Sequence, residues 1–430
     1  MSKVFKKIRS FAPVAVSAGL VLALLMGSVV PAKAAGQRVI KIGYVCAFTG
    51  PLATTSVPVS RGMLDYVRWL NDEKGGINGI KVQAMWEDYG GAAPRTIPIH
   101  KRMAQAGVVF EVQLEEGALL ATLPRMVADE MPGMYVAGGA PVTLRTKPQW
   151  IVGSAPEFEN VYGFIAKWMR ENWTERRPMR LGWFAIDCPS VRELYHNLVP
   201  SYMNEIGVEH VGLELAPIFG VIDTTVEWLR LAAKKPDWIM IEHAGASVAV
   251  MIKDAARLGL QQKGIRLMSG TISLQEEQIK EVGEEAAEGW YRANFEPTPV
   301  TYPDCPMMKT VLDAARRYRG LKPEDVGLTY FKGWIASAVA CEGVRLAVEE
   351  VGLENLTGRA VRDAVFGIRD FDTGLVAPIT MTEDTWFYNR HMYFVRVEKG
   401  KFVRLTDWIE VPLVFHHVVI DGEVHTERVK

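Results

Sequence analysis

The chain has 430 residues, 49% hydrophobic and 23% charged, with 49 Lys and Arg against 50 Asp and Glu. That much apolar surface with so even a charge balance excludes a disordered, collagen-like or low-complexity protein and leaves room for two or three globular domains. Five of the basic residues (Lys3, Lys6, Lys7, Arg9, Lys33) and no acidic one fall in residues 1–34. The remainder is therefore mildly acidic, which argues against a nucleic-acid-binding surface.

Residues 1–34 read as a signal peptide: basic residues, an apolar run over 11–30, then Pro31-Ala32-Lys33-Ala34, with the cut expected before Ala35. The apolar run is also long enough to cross a hydrocarbon core of about 30 Å. Pro13, Ser17, Gly19 and the small residues Ala32 and Ala34 favour cleavage and a periplasmic mature protein that is not membrane-embedded. Cys46 lies inside an expected strand rather than directly after the apolar run, so no lipid attachment is expected. With Cys188, Cys305 and Cys341 it shows no metal-ligand spacing, and neither metal nor cofactor is expected. Cys341 shares a helical stripe with Trp334, Ala338, Val344, Val348 and Val351, which predicts a packed thiol.

Along the rest of the chain, short apolar strands alternate with amphipathic helices. A strand is predicted over 39–45, then a helix with Val59, Met63, Tyr66, Val67 and Leu70 on one face, stopped by Gly75-Gly76 and Asn78-Gly79. Strands at 80–86, 108–112 and 134–136 follow, separated by helices at 92–106 and 117–129. This βαβ pattern predicts a parallel sheet with helices on both faces. A second series begins after 149–153: helix 157–173, strand 179–186, helix 191–206, strand 208–215, helix 224–233, strand 238–242, helix 246–258, strand 265–268. A strand at 289–295, helices at 302–319, 329–351 and 357–366, and a β-hairpin of 391–397 with 402–409 around Lys399-Gly400-Lys401 complete the chain. The fold class is α/β, two doubly wound parallel-sheet lobes. A ligand is expected in the cleft between them, beyond the carboxyl ends of the strands.

Several segments, in order, resemble the periplasmic solute-binding proteins of branched-chain amino acid ABC importers. They are Ile42-Gly43-Tyr44 through Phe48-Thr49-Gly50-Pro51-Leu52-Ala53, Gly75-Gly76-Ile77-Asn78-Gly79, Glu87-Asp88, Ala286-Ala287-Glu288-Gly289, Gly333-Trp334 and Phe371-Asp372-Thr373-Gly374. The resemblance implies the type I periplasmic binding fold, whose lobes close around a small-molecule ligand and present it to a permease with ATPase subunits. It further implies crossings near 150–153, 288–296 and 388–392, with lobe 1 formed by 35–152 and 289–388 and lobe 2 by 153–288 and 389–430. A periplasmic sensor feeding a membrane receptor would share this fold.

In leucine-binding relatives a Ser at the start of the third helix and a Thr with backbone after the fourth strand hold the α-carboxylate, and an acid in the other lobe holds the ammonium. Here those places fall on Glu116, on Ala137, Gly138 and Gly139, and on Thr271. A Glu beside an α-carboxylate repels it, which departs from the amino-acid-binding pattern; since the resemblance extends to binding proteins that take up aromatic carboxylates, the ligand is expected to be other than a standard amino acid, an aromatic or other small carboxylate or an amide. The helix-start N–H groups of Gly117 and Ala118 could receive a ligand oxygen, and Glu116 could accept from a neutral or cationic ligand. Thr54 and Thr55 are either hydroxyl donors to a ligand or caps on the first helix. Asp187 and Ser190, after the strand ending at Ile186, stand between ligand contact and helix cap. His243, with Ala244, follows another strand end and is either a ligand contact or a core histidine. Tyr89, just after Glu87-Asp88, is the aromatic placed nearest the cleft, whereas Trp168, Trp173, Trp228 and Trp238 fall inside regular elements and predict packing. No G-x-S-x-G, H-E-x-x-H or G-x-x-x-x-G-K motif is present, and His416-His417 would point to opposite faces of a strand, so an enzyme is not expected.

Overall fold

The computed structural model describes residues 39–138, 146, 148–420 and 423–429. The expected signal peptide and Gly139 lie outside these residues. The first sheet contains β1 (Ile40–Cys46), β2 (Val82–Asp88), β3 (Phe110–Gln113), β4 (Gly133–Tyr135) and β5 (Ile151–Gly153), all parallel, in the order β2-β1-β3-β4-β5. Helices α1 (Ala53–Lys74), α2 (Thr96–Gln105) and α3 (Glu116–Ala128) connect them. Mostly apolar runs such as Ile40–Cys46, interrupted by Lys41, form these strands because both faces of a parallel sheet are covered by helices.

After β5 the chain enters a second unit: α4 (Phe158–Glu171), β6 (Met179–Ile186), α5 (Pro189–Leu198), β7 (Val208–Ala216), α6 (Thr225–Ala233), β8 (Trp238–Glu242), α7 (Ser247–Arg257), β9 (Arg266–Ser269), α8 (Glu276–Val282), α9 (Glu284–Ala287) and β10 (Tyr291–Asn294). Next come α10 (Met308–Arg319), α11 (Leu328–Val351) and α12 (Gly358–Val365), which pack on the first sheet. The chain then returns through β11 (His391–Glu398), β12 (Lys401–Arg404) and β13 (Ile409–Glu410), and ends in a hairpin of β14 (Phe415–Ile420) and β15 (Glu423–Arg428). The second sheet runs β12-β11-β10-β9-β8-β6-β7, with β13 on β11.

Several expectations change: the helix expected over 302–319 begins at Met308, and the strand expected over 402–409 spans Lys401–Arg404, with Ile409–Glu410 separate. Residues 289–295 were expected to open the return half of the first lobe, but β10 pairs with β9 and β11 in the second sheet. Trp290, Ala293 and Phe295 are buried in that lobe's cores, which fixes the strand there. The helix expected over 191–206 ends at Leu198, where Pro200 falls in a wider turn, Val199–Met203.

The first lobe is built on a close helix crossing. α11 is buried on nearly all sides, and a Cβ on Gly333 would lie 2.0 Å from the Val59 carbonyl oxygen. Gly62 on α1 makes the reciprocal approach to the Tyr330 carbonyl at 2.1 Å. The three crossings between lobes are laced together: Gly153 N–H donates to the Trp386 carbonyl (2.9 Å), Tyr388 N–H to the Gly153 carbonyl (3.1 Å), and Asn389 Nδ2 to the Phe295 carbonyl (2.7 Å). The terminal hairpin is pinned to α4 by Asn160 Oδ1, which accepts from the backbone of Val414 and Phe415 at 2.7 Å, and by His417 Nε2 against Glu159 at 3.0 Å. His416 points outward and His417 inward, as expected of strand neighbours. Trp168 stacks on Phe394 at 4.0 Å, and Trp228 and Trp238 are buried as expected. Among the described residues no helix is long and apolar enough to cross a membrane.

Candidate functional site

The carboxyl ends of β3 and β4 face those of β6, β8 and β9 across a cleft enclosing about 1090 Å³ of empty space, its mouth included. Its walls come from both lobes. Leu52, Thr55 and Val59 at the start of α1, Leu114 to Glu116 after β3, and Tyr135 to Ala137 after β4 form one side. Phe158 and Tyr162 on α4, Ile186, Val191 and Leu194 around α5, and Ala244, Ile272 and Gln275 form the other, while α11 contributes Thr329 and Lys332. The wall is mostly apolar with a few converging polar groups, the usual constitution of a small-molecule site.

The polar groups are specific. Glu115 is the N-cap of α3, and its carboxylate accepts from Gly117 N–H (2.8 Å) and Ala118 N–H (2.9 Å). Glu116 accepts from the Ser190 hydroxyl of the opposite lobe. Glu242 closes the apolar strand β8, lines the cleft and is 4% exposed. Burial pushes its carboxyl up to about 8, although Tyr162, Arg292 and Lys332 act to lower it. Neither Glu242 Oε2 nor Tyr162 Oη has a well-aligned hydrogen-bond partner. A Cβ on Gly270 would fall 1.8 Å from that oxygen and 2.8 Å from the tyrosine hydroxyl, so the glycine leaves the space both side chains use. Lys332 Nζ lies 3.5 Å from Glu296, which is buried behind it. Cys188 lines the cleft with its thiol pushed up to about 11 by burial, hence protonated at neutral pH.

Of the residues expected in the site, Thr55, Glu116 and Ala137 line the cleft, and Gly138 and Thr271 line a small recess that continues behind it. Ser190 reaches the site through Glu116. The others sit elsewhere. Thr54 does not line the cavity. Gly117 contributes no free donor, because Glu115 already occupies its N–H and that of Ala118. Tyr89 is fully buried in the first core, beneath a loop tied down by Asp88, which accepts from Phe48 N–H, Gly90 N–H and the Thr49 hydroxyl. Asp187 is turned to solvent and paired with Arg192 at 2.7 Å, and it neither caps α5 nor faces the cleft. His243 is a core histidine, with Nδ1 and Nε2 each 3.2 Å from the carbonyls of Ala244 and Pro217, and burial lowers its pKa.

Glu115, Tyr162, Glu242 and Lys332 were not singled out from sequence. Two carried a readable signal: Glu242 ends an otherwise apolar strand, and Lys332 lies within the buried stretch of α11. A lone charge in a buried run needs a counter-charge or a cavity.

A structure of a branched chain amino acid ABC transporter from Thermus thermophilus with bound valine superimposes with TM-score 0.76 at 19% identity, covering 87% of this chain and 97% of the other. A solute-binding protein of an ABC transporter from R. palustris in complex with 4-hydroxybenzoate matches with TM-score 0.74 at 17% identity, covering 87% and 98%. The fatty acid ABC transporter substrate-binding protein of Thermomonospora curvata gives 0.73 at 17%, covering 87% and 92%. A search of curated protein sequences found no significant match. The family model described as periplasmic binding protein matches residues 39–401, in keeping with the two parallel-sheet lobes and the cleft between them. The chain belongs to the periplasmic binding protein family, whose members bind solutes and are not enzymes.

Proposed function

We propose that this protein is the extracytoplasmic solute-binding component of an ABC importer of the branched-chain amino acid type, exported by its N-terminal signal. It captures a small, largely apolar ligand between two closing lobes and delivers it to a permease driven by ATPase subunits. The moving lobes are 39–153 with 297–388, and 154–296 with 389–429, hinged at the three laced crossings. The observation that carries this reading is a cleft walled by both lobes at the carboxyl ends of their strands, so that a bound ligand favours the closed state over the open one. Similar structures hold valine and 4-hydroxybenzoate, which supports a small organic solute.

The test is ligand-dependent thermal stability of the chain from Ala35 onward, screened against aliphatic amino acids, aromatic acids, amines, amides and short carboxylates. A ligand at about 100 times its dissociation constant stabilises the folded state by about 2.7 kcal/mol, a clear rise in midpoint. Silence across all classes refutes the solute-binding reading. Co-purification with permease and ATPase subunits supports transport, and co-purification with a receptor alone refutes it in favour of sensing.

A further inference from the structure

The charge distribution in the cleft restricts the class of ligand, an argument that rests on reading the cleft as a solute site. A helix N-terminus facing a cavity ordinarily offers its free N–H groups to an anion. On α3 the carboxylate of Glu115 already occupies those of Gly117 and Ala118. A ligand carboxylate approaching this end meets Glu115 and Glu116 rather than open donors. Across the cleft, Glu242 is nine-tenths buried or more and lines the cavity; its carboxyl sits beside the Tyr162 hydroxyl, and neither Oε2 nor that hydroxyl has a well-aligned hydrogen-bond partner. Among the described residues lining the cleft, Lys332 is the one cation, and it already faces the buried carboxyl of Glu296. The ionisable groups at the polar end of the cleft are therefore mostly carboxyls, Glu115, Glu116 and Glu242, and its apolar wall is formed by Leu114, Val136, Phe158, Ile186, Val191 and Leu194.

We propose that the ligand has an apolar body and a polar head that donates N–H hydrogen bonds, an amine or a primary amide, with no free carboxylate, and that Glu242 and Tyr162 receive this head. Glu242 suits either head. Ionised, it pairs with an ammonium; protonated, it donates to an amide carbonyl while its other oxygen accepts an amide N–H.

The experiment uses two matched trios and isothermal titration on the mature protein: benzylamine, benzamide and benzoate, then pentylamine, pentanamide and pentanoate. The amine or the amide of a trio binds at least about tenfold more tightly than the carboxylate with the same body. Glu242→Gln separates the two heads. It weakens an amine about tenfold or more, while an amide stays within about threefold, because the Gln carbonyl still accepts. Glu115→Ala uncaps α3, and benzoate affinity then rises. A carboxylate that equals or exceeds its amine and amide in the unaltered protein overturns the head-group inference and leaves the solute-binding reading standing. No response to any of the six also overturns the inference, whereas the solute-binding reading falls only if the wider panel is silent as well. Should Glu115→Ala fail to fold, the trios on the unaltered protein still decide.

Discussion

Replacing Glu242 with Gln stabilises the ligand-free protein increasingly as pH rises from 5 to 8. In the folded state burial pushes this carboxyl up to about 8, whereas in the unfolded chain a Glu ionises at about 4.3. Between those values the unfolded chain has released a proton that the folded chain retains. The contribution of Glu242 to stability is therefore complete below about 4.3, falls with rising pH through about 8, and is level above. Each pH unit within the window removes about 1.4 kcal/mol, so at pH 7 the ionisable side chain costs roughly 4 kcal/mol against a neutral one of the same shape. The Gln amide returns part of this, because its own N–H groups lack a partner at the place where Glu242 Oε2 has none, a loss of about 1–3 kcal/mol. Urea unfolding of both proteins at pH 5, 6, 7 and 8 measures the difference. Comparison with the variant isolates Glu242 from other buried acids such as Glu277, which burial and the neighbouring Glu276 push up to about 7. The expected gap widens in favour of the variant by about 4 kcal/mol between pH 5 and pH 8. A gap independent of pH refutes the reasoning.

Gly333→Ala places a Cβ 2.0 Å from the Val59 carbonyl at the α1–α11 crossing; overpacking against backbone lowers stability by about 2–3 kcal/mol, read as a fall in the thermal midpoint. Ser190→Ala removes the hydrogen bond to Glu116 that joins the lobes across the cleft, and ligand affinity measured by calorimetry falls about tenfold. The terminal hairpin responds to pH through His417: burial acts to lower its pKa, but Glu159 and Glu157 outweigh this and raise it above the usual 6.5. Its stabilising contribution is complete below the unfolded value and is lost as pH rises through the folded one, so hydrogen-exchange protection over 415–428 declines across that window.

The layered fold was readable because the parallel strands are short, mostly apolar runs set between amphipathic helices; Met179–Ile186 and Trp238–Glu242 have the expected bounds. What could not be read was non-local. The pattern of 289–295 announces a strand, but its sheet is decided by packing of Trp290 and Phe295 against residues distant in sequence. Strand β5, Ile151–Gly153, is too short for periodicity to register. The site shows the same division. Strand ends located the cleft to within a residue or two, yet which of two neighbours faces it depends on the path of the loop. Glu242 turns inward and His243 into the wall, where Nε2 donates to the Pro217 carbonyl and Nδ1 accepts from the Ala244 N–H. Likewise Glu115, rather than a ligand, occupies the helix N-terminus, because its extended backbone at the N-cap brings the carboxylate back onto the N–H groups of the first turn.

The contacts that join the lobes say which part of closure belongs to the ligand. Glu116 with Ser190, Gly245 beside the Pro51 carbonyl, and Lys280 with Asp325 all link the two sides. The last pair is solvent-exposed, and such pairs contribute about 0–1 kcal/mol. Against these stands the cost of burying Glu242 Oε2 and Tyr162 Oη with no well-aligned partner, about 1–3 kcal/mol for an unsatisfied group. A ligand that supplies a partner removes this penalty on binding and so favours the state that holds it. The group proposed to receive the ligand head is therefore the same buried carboxyl at the end of β8 whose hydrogen bonding the protein alone leaves incomplete.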